Sequence, residues 1–371
     1  MVASRTHSRR LYLHVGCPKT GTTYLQDTLW ASRKALAAVG LHLPLRSVKD
    51  HFYVSLAVRE AVDPELDPPD AHHALDRLAD DLAQAETPRV LISHELFAPA
   101  TAVQADRFRS LLSGYEVHVV LSVRDLLRQI PAAWQQQVQQ RGLVSYETFL
   151  DAVVADDAET AYFWDRQDAP AIAERWRGDL PPDRVHIVTV PPSGADQGLL
   201  LERFCRVVET SPAVLARDVA RRNESLGMVQ AELLRRVNIA LGDRLPHPRA
   251  GHGRTAKSYF ARQVLVPQGG TRPELPAGLH EWCRETSERM IERLAGAGYD
   301  IAGDLDELRP TLPPTEPEAT VVTDAELVDS AVAALADVLE QRHQDVRRIG
   351  RQWERISRLE QPRRRRRAGR S

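Results

Sequence analysis

Four short apolar runs, each followed by a helical pattern, constrain the fold of this chain more than any other feature. They are 11–16 (LYLHVG), 89–93 (RVLIS), 117–123 (VHVVLSV) and 184–190 (RVHIVTV). Each is rich in Val, Ile and Leu without strict alternation, the pattern of a strand covered on both faces. A weaker run, LHLP, lies at 41–44. Between these runs the apolar spacing predicts helices over about 22–38, 71–86, 102–112, 126–140, 168–177, 197–208, 226–241 and 276–297. Alternating strands and helices predict an α/β fold, a three-layer arrangement with a parallel sheet between helices. With 371 residues and 43% hydrophobic content, the chain can bury a sizeable core.

The alternation ends near 305, so 1–305 is expected to be one α/β domain. A Pro-rich linker follows at 306–322, including RPTLPPTEPEAT from Arg309. One long helix is predicted over 323–360. Its apolar residues follow a 4-3 spacing: Val328, Val332, Leu335, Leu339, Val346, Ile349, Trp353 and Ile356, interrupted by Arg342. That spacing fits a coiled coil and hence a homodimer through 323–360. It equally fits a helix laid on the main domain, and more weakly a basic helix on a membrane surface. The remaining 361–371, with Arg363 to Arg367, reads as a disordered, solvated tail.

Composition narrows the class. The net charge of −2 does not suggest a nucleic-acid binder. Cys17, Cys205 and Cys283 are far apart with no C-x-x-C, which argues against a disulfide framework and a zinc site. The 13 histidines have no metal-ligand spacing, and His72 and His73, adjacent on a helix, cannot face one ion. The basic N-terminus is followed by an apolar run too short for a signal sequence, and no run is long enough to span a membrane. A soluble, cytoplasmic protein is expected.

The segment HVGCPKTGTTYLQ, His14 to Gln26, carries the chemistry. A strand runs into a Gly-containing loop and then a helix, the layout of a phosphate-binding loop. Gly16 and Gly21 keep the spacing of a nucleoside-triphosphate loop, but Thr22 stands where that loop has lysine, and Lys19 precedes Gly21 by two residues. Without a lysine in that slot, nothing long points along a triphosphate. Lys19 instead rides the loop crest, which favours a nucleotide with one anionic group beyond its α-phosphate. Pro18 stiffens the loop, and Thr20, Thr22 and Thr23 add hydroxyls. The alternative is an ordinary strand-to-helix turn.

CPKTGTTYLQ resembles the 5′-phosphosulfate loop of the sulfotransferases that use 3′-phosphoadenosine 5′-phosphosulfate (PAPS), in particular bacterial sulfotransferase-like proteins. The resemblance implies that the loop from Cys17 to Thr23 binds the cofactor. Lys19 would neutralise the leaving 5′-phosphate oxygen. Thr20, Gly21, Thr22 and Thr23 would hold 5′-phosphate and sulfonate oxygens. A second stretch, VRDLLRQIPAAW, resembles the family's 3′-phosphate segment and implies that Arg124 pairs with the 3′-phosphate. Two departures stand out. Leu126 replaces a proline, and Ala132 replaces the phosphate-binding serine. Arg128, and Arg254 and Lys257 in GHGRTAKSYF, are then candidates to assist. No metal is implied.

Transfer also needs a base for the acceptor proton. VLISHELF places His94 and Glu95 at the carboxyl end of a strand, where α/β sites form. Glu95 is the first candidate, His94 the second and His51 the third. Each has a structural alternative: a satisfied core histidine, or a helix-start carboxylate. Asn223 or Ser225 is expected to cap the helix after RNESLG, and YFWDRQD at 162–168 either lines an acceptor pocket or anchors a helix in the core. The acceptor expected is a small molecule or carbohydrate. A nucleotide kinase fits poorly without the lysine after Gly21. A binding or scaffolding protein on a degenerate sulfotransferase fold is the alternative of a different class, favoured by Ala132.

Overall fold

The computed structural model describes residues 9–156, 161–196, 198–216, 225–245, 248–312 and 321–368. Asn223, the middle of the linker (313–320) and the last three residues lie outside them. Six strands form one parallel sheet: β1 (Arg10–His14), β2 (Leu41–His42), β3 (Arg89–Ser93), β4 (Glu116–Val123), β5 (Val185–Thr189) and β6 (Asp300–Ala302). Their order is β2-β3-β1-β4-β5-β6, with β1 between β3 and β4. In register, Leu13 lies beside Ile92 on one side and Val119 on the other. All neighbours are parallel, so each connection must cross over a face of the sheet.

Side chains alternate across the sheet, and both faces are covered. On one face Tyr12, Leu91, Val120 and Val188 pack with Leu25 and Leu29 of α1 (Thr22–Ala31) and with Phe204 and Cys205. Elsewhere in the core, Trp176 stands edge-on to Phe97 and Phe108. Each such side chain, fully buried, contributes about 1.5–3 kcal/mol. The expected α/β class, with helices flanking a parallel sheet, is what forms.

Some element boundaries differ from those expected. Helix 22–38 breaks after Ala31, where the Ser32 hydroxyl donates to Thr28 O (2.8 Å) and accepts from Ala216 N (2.8 Å). Ser225 does not cap the helix that follows. That helix starts at Met228 with Gly227 at its N-cap and no side-chain cap bond.

The described residues divide into two compact units. The first holds the sheet and comprises residues up to 137, 144–216 and 273–312. The second comprises 138–143, 225–272 and 321–368. The linear division expected at 305 therefore differs from the grouping found, because 225–272 cluster with the long C-terminal helix. In the second unit, Pro248–Leu265 winds as a π-helix. Asn238 donates to Val138 O (2.8 Å) and meets His252 Nε2 at 3.1 Å. The long helix runs Asp324–Ala368, so the arginine run expected in a disordered tail continues as helical backbone. Among the described residues no helix is long and apolar enough to cross a membrane.

Candidate active site

The first unit brings three strand ends together: β1 with the loop after it, β3 with His94 and Glu95, and β4 with Arg124 and Asp125. These are adjacent carboxyl ends around the central strand, where ligands bind in open α/β sheets.

The loop after β1 is braced by its neighbours. Val15 N donates to Val120 O (2.9 Å) and Cys17 N to Ser122 O (3.1 Å), so the chain follows β4 before it turns. Gly16 (φ 32°), Lys19 (φ 69°) and Gly21 (φ 81°) all take positive φ. At Gly16 the need for glycine is steric as well, because a Cβ would sit 3.0 Å from Thr22 Cγ2 and 3.1 Å from His14 Nε2. Lys19 is the non-glycine exception, holding the crest in a conformation L-residues adopt reluctantly. The Thr20 hydroxyl donates to Cys17 O at 2.5 Å and is fully buried. That bond closes the loop and leaves Thr20 its backbone N–H to offer an anion. Cys17 is buried, which pushes its thiol up and keeps it protonated.

Gln129 and Gln167 went unnoticed in the sequence. The Gln129 amide donates to Pro18 O and to Gln167 Oε1 (2.7 Å), and Gln167 Nε2 approaches Pro18 O at 3.4 Å. Both are buried. The segment YFWDRQD thus contributes Gln167 to the loop, and Phe163 to the core. The available signal was Gln129 beside Ile130 and Trp134, a polar residue at a buried helical position.

Beneath the loop, His14 is fully buried between Ser93 Oγ (2.8 Å) and Ser122 Oγ (2.9 Å). Burial holds it neutral, with its pKa lowered to about 4 despite the nearby Glu95. His14 and Ser93 end their strands and Ser122 is the last but one of β4, and each breaks an apolar run, a signal visible in the sequence. The helix α1 starts at Thr22 with Gly21 at its N-cap and no side-chain cap bond. Its first-turn N–H groups have no acceptor within the helix, and the helix dipole favours an anion there.

Glu95 opens a short 3₁₀ turn, Glu95–Phe97, with His94 as its N-cap. Burial pushes the Glu95 carboxyl up, but His94 and the Thr22 hydroxyl pull it down further, so it sits below the usual carboxylate range. Its Oε2 is covered and has no hydrogen-bond partner among the described residues. His94 Nδ1 accepts from Leu96 N (3.1 Å). The neutral ring then carries its proton on Nε2, and neither nitrogen offers a lone pair to an acceptor. His51, the third candidate, is fully buried. Its Nε2 donates to Pro44 O (3.0 Å) and its Nδ1 accepts from Ser93 N (3.2 Å), which makes it structural.

Arg124 Nη1 donates to Lys19 O at 3.1 Å, so the arginine braces the loop crest. Arg128, expected to assist at a phosphate, is tied to the Asp125 carboxylate and donates to Pro191 O (3.1 Å). Leu126–Gln139 form one helix, α2, with Trp134 fully buried and donating to Val144 O (3.1 Å). Ala132 sits on α2 and supplies no hydroxyl. Arg254 and Lys257 lie on the π-helix of the second unit. Thr23 is exposed on the first turn of α1. Among the described residues no group of three or more His, Cys, Asp or Glu is arranged to hold a metal ion.

Two solved structures are similar to this chain. One is a sulfotransferase from Alicyclobacillus acidocaldarius, 14% identical, covering 63% of this chain and 94% of that one, with a TM-score of 0.37. The other is the sulfotransferase domain from the curacin biosynthetic pathway, 13% identical, covering 69% and 98%, with a TM-score of 0.31. Neither a family model nor a curated protein matches. Likeness this distant bears no functional weight.

Proposed function

We propose that this protein is a sulfotransferase that moves a sulfonyl group from PAPS to a hydroxyl or amine of a small-molecule or carbohydrate acceptor in the cytoplasm. The observation that carries the reading is the pairing of the PKTGTT loop with Glu95. A loop with Lys19 at its crest starts a helix, and an ionised carboxylate with an unpartnered, covered oxygen stands against Thr22 of that helix. The loop fits an anion, and Glu95 Oε2 fits an acceptor's proton.

In this reading the backbone N–H groups of the loop and of the first turn of α1, with the exposed Thr23, hold the 5′-phosphate and sulfonate oxygens. The acceptor oxygen forms a bond to sulfur while the bond from sulfur to the 5′-phosphate oxygen breaks. The electron pair stays on that oxygen, where the Lys19 ammonium offsets the charge. The acceptor's proton goes to Glu95. Arg124 serves the 3′-phosphate. A guanidinium has five donors, so bracing Lys19 O and pairing with a phosphate are compatible.

A second reading, a non-catalytic binding protein on the same fold, draws on Ala132 and on the use of Arg124 within the loop. Melting the protein alone, with 3′,5′-ADP, and with ATP plus Mg²⁺ is the first test. Stabilisation by 3′,5′-ADP only is expected, about 2.7 kcal/mol at a hundredfold excess over Kd. No shift at saturation refutes the transferase reading and the role given to Arg124. Labelled PAPS with a panel of acceptors then separates them: turnover that Lys19→Ala abolishes, with the melt of the free protein unchanged, supports transfer. Binding without turnover on any acceptor supports the second reading.

A further inference from the structure

The long helix α3 (Asp324–Ala368) carries two apolar faces, and its own unit covers only one. Leu327, Ser330 and Ala334 are buried against Met228–Leu241 and the π-helix. Ser330 Oγ donates to Gln268 Oε1 at 2.6 Å, which fixes this face inward. The 4-3 seam lies one residue further round, about 100° away. Its eight apolar residues are between 44% and 69% exposed, including Leu335, Leu339 and Trp353. From 346 to 354 every residue is exposed, so this stretch of the helix has no cover among the described residues. Most of a helix's stability in a protein comes from packing an apolar face, and this seam has nothing to pack on among the described residues of its unit.

Charge decides what covers the seam. From 324 to 345 the helix has six acidic residues and one basic, Arg342. From 346 to 360 it has five arginines against Glu354 and Glu360, and Arg363 to Arg367 follow. Two copies in parallel would set arginine-rich halves side by side. Two copies in antiparallel set each acidic half against a basic one.

We propose that the protein dimerises through this seam as an antiparallel two-helix coiled coil. In one register six of the eight seam residues meet an apolar partner, and Val328, at the end of the seam, falls opposite Glu360. Val332 faces Ile356 of the second copy, Leu335 faces Trp353, and Leu339 faces Ile349. Arg342 falls at the centre with Val346, beside the second copy's Asp345, so the single interruption of the seam gains an opposite charge where the two helices cross their twofold axis. The layers span about 36 Å. The inner face, about 100° away, keeps its contacts within the unit.

Sedimentation equilibrium of the full chain at micromolar concentrations tests the association. A dimer is expected, and Leu335→Asp with Ile349→Asp should weaken it by about tenfold or more. Both positions are exposed, and a cooperative thermal melt of the full-length variant shows that it folds. Orientation is read by oxidising a mixture of Leu339→Cys and Ile349→Cys proteins. The antiparallel register cross-links the mixture only, because identical positions are about 15 Å apart along the axis. A monomer at every concentration, or a double variant that dimerises like the parent chain, overturns the proposal. Cross-linking of Leu339→Cys protein with itself overturns the antiparallel register.

Discussion

Glu95 and His94 are neighbours at the same strand end, and one hydrogen bond separates their roles. His94 Nδ1 is occupied by Leu96 N–H, so the neutral ring has no lone pair to offer, whereas Glu95 keeps a covered oxygen without a partner. Burial lowers His94 further. Glu95→Gln preserves shape but cannot take a proton, and turnover should fall by about 10²–10⁴-fold while 3′,5′-ADP still raises the melting temperature. His94→Asn retains an acceptor for Leu96 N–H and should stay within about tenfold of the parent. The pH profile gives an independent sign. A base must be ionised, and Glu95 lies below the usual carboxylate range, so activity should stay level from neutral pH down past the ordinary Glu value and fall only below it. A loss that sets in above the ordinary carboxylate value but below the ordinary histidine value of about 6.5 would transfer the role to His94.

The loop after β1 is the element on which the proposed site depends, and its positive φ values are concentrated at Gly16, Lys19 and Gly21. Gly16→Ala places a Cβ against Thr22 Cγ2 and His14 at a φ of 32°. Urea melts should show a loss of roughly 1–3 kcal/mol, together with weaker stabilisation by 3′,5′-ADP. An alanine variant as stable as the parent would mean that the loop relaxes without cost. Elements of this kind were legible in the sequence because their signals are local. The strands β1, β3, β4 and β5 announce themselves as apolar runs, and the loop by its Gly, Lys and Thr spacing. β6 is only Asp300–Ala302, too short to carry a pattern, and it forms because β5 offers an edge. Gln129 and Gln167 escaped for another reason. Their partner, Pro18 O, is more than a hundred residues away, and no local spacing encodes that contact. The same holds for Arg124, whose bond to Lys19 O joins two motifs that the sequence presents separately.

On the scale of the molecule, the grouping of residues 225–272 with the long helix shows what a linear reading misses, since packing partners need not be neighbours in the chain. The core of the first unit has a comparable long-range property in its two buried histidines. His14 bonds Ser93 Oγ, and His51 Nδ1 accepts from Ser93 N, so both rings converge on one residue at the end of β3. Both are fully buried, and burial lowers each pKa to about 4, outweighing the opposing pull of Glu95 on His14 and of the Pro44 carbonyl on His51. In the unfolded chain each would titrate near 6.5. Between those values the unfolded state binds more protons, so folding stability must fall as the pH drops from about 6.5 to about 4, and is level above. Each histidine can contribute on the order of 3 kcal/mol to that fall. Urea unfolding at a series of pH values measures it. His51→Gln removes one titrating group, so its stability should be lower at pH 7 yet decline less steeply between about 6.5 and 4.5 than that of the parent. Glu95 does not mask the effect, because its depressed pKa confines its own loss to lower pH. Other surface carboxylates act equally on both proteins and cancel in the comparison. Parallel pH curves for the two proteins would show that His51 becomes protonated as readily in the folded core as in the open chain.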